Sequence, residues 1–478
     1  MIHRSPHKQI VILVILWCVL PFTITIANNP PFRQWLPVVF GPSSDPEYLI
    51  NAPYFPVANV TGERFEQMAI FWFGQLSRDT NYTDVRIGYN DTALYLYLAS
   101  FDRQLWYDTT PSPADLTAWD AATLFIDTAN GTRLSATSFR FIAQFRGDPE
   151  PDPSYQLSQQ ATGGSWSTTT VAFSSIPGWR GDRLNDNNDS EDRGWAMTFR
   201  IPFTSLGLSG RPSDGTRWRI ALILHDRDNA AGSPSIPNQM WPPGMNADLP
   251  STWGGIRFGI PVYTPPSTSS VQEFLIRHRL NGITVVDAGI GGVNPYMCDD
   301  SGDYWNTWGN RPRPSEQGDV SIQNQSDIAD WPCFAKYYIT FPLNTLPAGR
   351  TVISARLILS QMGNAEPSQA QRSLIQALLV GEDWHPATLT WNNAPLVREN
   401  VGSGWVDPIP QFPGWENLPK REIDVTWGFV QAYTRGQPLR LALYSADSAY
   451  HSGKYFVSSN TGDWNAENRP TLVVRLSP

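Results

Sequence analysis

The chain is short of the residues on which most compact chemistry depends. Its 478 residues hold three cysteines and six histidines, and two of the histidines, His3 and His7, fall at the extreme N-terminus. There is no His-Glu-x-x-His, no Gly-x-Ser-x-Gly and no phosphate-cradling glycine loop, so zincin, serine-hydrolase and nucleotide chemistry lack their usual starting points. Charged residues make up only 17%. The formal charge of −9, with no basic run, makes a phosphate backbone a poor partner, so nucleic acid is not expected. Beyond residue 27 no long apolar run occurs, and no stretch sustains a helical period. Proline and glycine are plentiful but not periodic, which excludes collagen.

The N-terminus carries a different signal. Arg4, His7 and Lys8 precede an unbroken apolar run over residues 10–20, and Thr25-Ile26-Ala27 offers a small-x-Ala cleavage site. Residues 1–27 therefore read as an export signal. The competing reading is an uncleaved anchor, but the run is short for a span of about 20 residues and Pro21 interrupts it. Trp17 before Cys18 is the wrong neighbour for lipidation. With the signal removed, no transmembrane segment is expected and Cys298 and Cys333 remain. Two cysteines in an exported chain are expected to pair, for about 3–4 kcal/mol, although two unrelated buried thiols would satisfy the same count. The expected location is secreted, extracellular or cell-surface. Asn59, Asn81, Asn90, Asn130, Asn188 and Asn324 lie in glycosylation sequons.

Period-two alternation runs nearly throughout. Leu94, Leu96 and Leu98 alternate with Tyr95 and Tyr97; Trp218, Ile220, Leu222 and Leu224 with Arg217, Arg219 and His225; Leu439, Leu441 and Leu443 repeat the pattern. Turn clusters such as Asn90-Asp91 and Asn130-Gly131 separate the runs. Short helical turns are expected only near 113–118 and 427–433. The fold class is all-β: two antiparallel β-sandwich, jelly-roll-like modules, at 40–260 and 272–478, joined by a Pro/Ser/Thr linker at 261–271.

In the first block, the 84–102 hairpin is followed by Trp119-Asp120, Leu124 and Asp127, then by Ile201-Pro202-Phe203 with Leu206, then by Gly215 and Trp218. The order resembles family-9-type carbohydrate-binding modules and the related DOMON sandwiches. That resemblance implies a sandwich that binds sugar or another small ligand without a catalytic dyad. In the second block, Phe341 and Leu343, Leu346-Pro347 with Gly349 and Val352, residues 388–395 (Thr-Leu-Thr-Trp-Asn-Asn-Ala-Pro), Asp424-Val425-Thr426 and Arg469-Pro470 resemble the DNRLRE-type domains, secreted carbohydrate-binding-type sandwiches. The literal name motif is absent, and the cysteine-bearing stretch 294–333 departs from the pattern. Trp384, Trp391 and the Asn392-Asn393 turn are expected to be architectural.

Twenty tryptophans exceed what a core needs. Sugars are held by aromatic faces and a few polar groups. The contact candidates are therefore the loop aromatics Trp106, Tyr107, Trp179, Trp241, Trp253, Trp305, Trp308, Trp405, Trp415 and Trp464, each weighed against plain packing. Asp182, Asp186, Asp189, Glu191 and Asp192 are hard oxygen ligands suited to calcium, though their spacing is not an EF-hand and a solvated acidic loop is the favoured reading. Asp120, Asp127, Asp226 and Asp228 stand as an acid pair or as strand-end caps. The expected function is a non-catalytic polysaccharide- or glycan-binding protein. Alternatives are a matrix or envelope spacer, an accessory to polysaccharide degradation, and a haem-binding DOMON protein using His225 with Met197, Met240 or Met245.

Overall fold

Alternation becomes strand wherever one side of the run can be buried. The computed structural model describes residues 47–60, 62–187, 192–268, 270–292, 304–313, 318–324, 333–381, 383–447 and 452–477. Nearly all regular structure there is β, in four sheets. Sheet 1 runs Leu49–Ala52, Gly254–Phe258, Arg217–His225, Ala121–Asp127, Ser138–Gln144, Gln156–Thr162, Ser165–Thr169, with Gln239–Trp241 beside Arg217–His225. Sheet 2 runs Ala69–Ser77, Thr80–Tyr89, Ala93–Phe101, Gly194–Pro202, Ser174–Arg180. Leu94, Leu96 and Leu98 of sheet 2 join Leu222, Leu224 and Ile126 of sheet 1 in one core. Pairing is antiparallel except where Leu49–Ala52 lies parallel to Gly254–Phe258.

The second half repeats the plan. Sheet 3 runs Val286–Gly291, Ala335–Phe341, Leu439–Ser445, Ser373–Val380, Val397–Val406. Sheet 4 runs Gln272–Arg277, Thr471–Ser477, Thr351–Asn364, Lys454–Val457, Asp319–Ile322, with Lys420–Asp424 also on Thr351–Asn364. Tyr337, Ile339, Leu441 and Leu443 face Leu357, Leu359, Leu472 and Val474 across the second core. No strand pairing crosses residues 261–271 among the described residues. Helical pieces at Leu116–Ala118 and Thr426–Thr434 fall where the sequence placed them. Among the described residues no helix is long and apolar enough to cross a membrane.

The remaining faces of sheets 2 and 3 pack on each other, making a four-layer stack within one compact unit, Asp45–Pro478. Trp72, Tyr82 and Arg86 alternate away from the first core and meet Lys336, Tyr444 and Trp391 of the second half. Gln376 Nε2 donates to Met68 O at 2.6 Å while its Oε1 accepts from Ile70 N–H at 3.2 Å. Asn51 and Asn400 exchange hydrogen bonds of 2.7–2.9 Å, and Glu399 takes Arg257 at 3.0 Å and the Trp427 indole at 2.8 Å. A buried polar group costs energy unless paired, and these groups are paired across the two halves.

The motif at residues 388–395 belongs to this interface. Asn392 Oδ1 accepts from Leu76 N–H at 2.8 Å and its Nδ2 donates to Leu76 O at 2.9 Å, so the side chain mimics a neighbouring strand. Trp391 is buried against Trp308 and Tyr82. The sequon residues Asn81, Asn90 and Asn324 are buried with their amide nitrogens engaged, Asn324 donating to Asp84 at 3.0 Å. Cys333 is buried just before Ala335–Phe341, and Cys298 lies outside the described residues.

Candidate functional site

Half of the loop aromatics prove to be core. Trp241 packs at 4.4 Å on Phe71, Trp253 lies parallel to Trp166 and against Phe125, and Trp305 and Trp308 cluster on Tyr304. Trp106 is buried as well. These five offer no stacking face to a sugar, which corrects the expectation for them. Trp241 lies in a short strand of sheet 1, Trp305 and Trp308 in short helical turns, and Trp253 just after one, so their indoles pack inward as core. Tyr107, Trp179, Trp405, Trp415 and Trp464 keep accessible surface.

Tyr107 lines a cavity of about 400 Å³ with Arg146, Asp148, Glu150, Pro151, Asp152, Pro153 and Tyr155. It sits at one end of the first sandwich, where the chain leaves Ser138–Gln144. Asn185 Oδ1 accepts from Tyr107 N–H at 2.7 Å, and the Tyr107 ring stands edge-on to Phe145, 6.3 Å from Tyr155. Asp152 caps the following turn, accepting from Ser154 N–H at 2.9 Å; those bonds hold its carboxyl below the usual range. Trp179 is 36% exposed, and its indole N–H donates to Gly147 O at 3.2 Å, bracing the same loop.

Arg146 is the unusual member. It is 2% exposed, lies 5.4 Å over the Tyr155 ring, and its Nη2 donates to Glu150 O. Its Nε and Nη1 have no hydrogen-bond partner. Burial pulls the guanidinium pKa down, partly offset by Asp152 and Asp148, yet it stays charged at any physiological pH. No local pattern marked Arg146; only the fold places it under Tyr107.

A second cluster lies at strand ends of the same sandwich. Asp102 follows Ala93–Phe101, Asp120 precedes Ala121–Asp127 and Asp226 follows Arg217–His225, with ligand oxygens all within 4.8 Å of one another. Asp102 accepts from Asn81 Nδ2 and the Trp195 indole, both at 3.2 Å, and Asp120 from Trp106 and Arg227 N–H at 2.7 and 2.8 Å. One oxygen of Asp226 has no hydrogen-bond partner. Burial first, then the neighbouring carboxylates, push all three pKa values well up. Hard oxygens converging this closely fit a calcium-class cation, which would remove the repulsion.

Among the described residues this triad, not the 181–192 loop, brings three carboxylates together. Asp182 and Asp186 act on Asp192, whose buried carboxyl is pushed up to about 7, chiefly by burial; Asp189 and Glu191 lie outside the described residues. Asp127 caps its strand end, accepting from Gly131 N–H, Thr137 and Ser138. Of the methionines named for the haem alternative, Met240 and Met245 lie with Ile223 on the strand face that carries His225, and Met197 does not. His225 Nε2 is 2.9 Å from Thr123 Oγ1, and burial takes its pKa to about 4. Met197 is buried in the core that Leu224 also faces, so His225 points away from it.

No family model and no curated protein matches the chain. Among solved structures it is similar to a carbohydrate binding module family 9 from Caldicellulosiruptor kristjanssonii. The complex with cellotriose is 14% identical, covering 45% of this chain and 100% of that one, with a TM-score of 0.31. The complex with glucose is also 14% identical, covering 46% and 100%, at 0.30. A Bacteroides uniformis protein proposed to bind carbohydrate is 11% identical, covering 44% and 99%, at 0.34. What a ligand would meet on this chain is set by its own side chains.

Proposed function

We propose that this chain is an exported, non-catalytic glycan-binding protein whose first sandwich takes a sugar in the cavity of Tyr107, Arg146 and Tyr155. The observation that carries the reading is the cavity itself, with two tyrosine rings, three carboxylates and the hydrogen-bond donors of the Arg146 guanidinium on its wall. A sugar hydroxyl or ring oxygen satisfies such donors, while the aromatic wall takes the C–H face. Asp148, Glu150 and Asp152 add acceptors for further hydroxyls. On this reading the first half is a family-9-type module and the second a DNRLRE-type domain. Calcium at Asp102, Asp120 and Asp226 would have a structural role, holding three strand ends near the loop that carries Tyr107.

The test is a glycan array on the chain lacking residues 1–27, with and without calcium, repeated with Arg146→Gln. Binding that Arg146→Gln abolishes supports the reading, and no binding to any glycan sinks it. Turnover of a glycan by pure protein would replace it with an enzymatic one. The spacer reading draws on a separate observation, the interlocked four-layer stack, and predicts an inert array. Export and the Cys298–Cys333 bridge belong to the same proposal. A non-reducing peptide map of secreted protein should contain the cross-linked pair, and two alkylatable thiols would remove it.

A further inference from the structure

The second sandwich carries an aromatic feature that the first-sandwich pocket does not use. Phe412 is 49% exposed and Trp464 70%, with Trp415 half-buried between them. Phe412 and Trp415 lie 5.1 Å apart at 72°, and Trp415 and Trp464 5.2 Å apart at 87°. Water-exposed indole is costly, and a contiguous exposed aromatic patch marks an interaction surface.

The patch is held rigidly from behind. Asn468 Nδ2 donates to Trp415 O at 2.7 Å and to Asn465 Oδ1 at 2.6 Å, and Lys420 Nζ donates to Asn468 Oδ1 at 2.6 Å. Trp464 folds over Gly462, where a Cβ would come within 2.7 Å of the indole nitrogen. Asp463 is taken by Arg279 at 2.9 Å and Arg469 at 2.6 Å, and Glu467 by Arg277 at 2.9 Å. Each of the neighbouring cations is thus already engaged, the three arginines by carboxylates and Lys420 by Ser360, Asn468 and the Glu467 carbonyl. The chain neighbours of the patch, Glu416 and Asn417, are exposed polar groups.

We infer that Phe412, Trp415 and Trp464 form a second glycan-binding surface, for a neutral polysaccharide strand in its soluble, non-crystalline form. The inference rests on the reading of the chain as a glycan binder but uses different residues. Aromatic faces whose neighbouring cations are already engaged, beside the exposed Glu416 carboxylate, suit uncharged sugar rings better than phosphate, uronate or an aliphatic protein face. The near-perpendicular neighbours form a stepped surface. A flat crystalline sheet of chains reaches only one ring of such a step, whereas a twisted free strand can turn from one ring to the next. Two sites on one rigid stack would raise avidity on a long polymer and not on a short oligosaccharide.

The test is affinity electrophoresis of the folded chain through gels containing soluble mixed-linkage β-glucan, xylan or galactomannan, beside sedimentation with crystalline cellulose. The pocket is silenced by Tyr107→Ala with Arg146→Gln. The pocket-silenced protein is expected to remain retarded by one of the soluble polymers. Adding Trp464→Ala should weaken that retardation by about tenfold or more, and Trp464→Phe should keep most of it. Thermal unfolding confirms that each variant folds. If silencing the pocket alone removes all retardation, the second surface is wrong while the pocket stands. If Trp464→Ala leaves retardation unchanged, or instead converts a dimer to a monomer in light scattering, the surface has another role. Equal binding to crystalline cellulose would overturn the stepped-surface argument, and no retardation of wild type by any of the three polymers would overturn the second surface outright.

Discussion

The Lys336 ammonium of the second sandwich lies 3.7 Å from the ring centroid of Trp72 in the first. Trp391 stands at 3.8 Å, Tyr82 at 4.5 Å and Tyr444 at 4.9 Å, and Nζ donates to the Tyr82 hydroxyl. Tyr82 in turn donates to Asp84 at 2.6 Å, which also accepts from Tyr444 at 2.9 Å. Burial draws the Lys336 pKa well down, and Asp84 opposes that shift. The cage joins residues from both halves around one cation.

Replacing that cation should loosen the stack. Lys336→Met keeps the length but loses the cation–ring attraction, worth about 2 kcal/mol when desolvated, and weakens the field that balances Asp84. We expect Lys336→Met to lower stability by about 2–4 kcal/mol in denaturant unfolding. Wild type should unfold in one transition, and the variant should separate into two as the halves uncouple. Unchanged stability would mean the cage is incidental.

Asn392→Ala tests the interface from the other side. It strips both the donor and the acceptor from the Leu76 backbone, leaving a part-buried N–H and C=O unmatched. The expected loss is about 2–4 kcal/mol, with the circular dichroism of the β-sheets unchanged. An effect below about 0.5 kcal/mol would show that water takes over both bonds.

The acidic triad makes stability depend on pH in a definite direction. Asp102, Asp120 and Asp226 have pKa values raised by burial and mutual repulsion. A group raised on folding favours the folded state below its unfolded pKa and loses that advantage as pH rises through the folded value. Without divalent cations the melting temperature should therefore fall from about pH 4.5 toward pH 8 as the triad ionises. Calcium should raise it most at the high end, and Asp120→Asn should abolish the calcium response. The buried Asp192, at about 7, acts in the same direction, so the calcium increment rather than the bare slope is diagnostic. A melting temperature that calcium leaves unmoved at pH 8 would remove the cation from the account.

The sheets were legible because alternation is local: Leu94, Leu96 and Leu98 face the first core as their spacing requires. What alternation does not distinguish is water from a second core. Tyr95 is on the other side of that strand and is also buried, under Phe55, Val60 and Met68, while Trp72, Tyr82 and Lys336 are buried where sheets 2 and 3 meet. The loop tryptophans went astray for a related reason. Proline and glycine mark a break between strands but not whether the next aromatic packs inward, as Trp241 in its short strand and Trp253 do, or stays exposed, as Trp464 does. The triad draws on residues 102, 120 and 226; Asp120 and Asp226 read as an acid pair or as strand-end caps, Asp102 carried no reading beyond closing the 84–102 hairpin, and the meeting of all three is a property of strand order.

The central claim is that Arg146 serves a glycan. Titration calorimetry of the purified protein with the best glycan from the array, comparing wild type, Arg146→Gln and Arg146→Lys, tests it most directly. The account predicts that Arg146→Gln weakens binding by about tenfold to a hundredfold, as expected for a lost charge-assisted hydrogen bond, with partial recovery in Arg146→Lys and melting temperatures within a few degrees of wild type. Wild-type affinity in Arg146→Gln, with the fold intact, would contradict it.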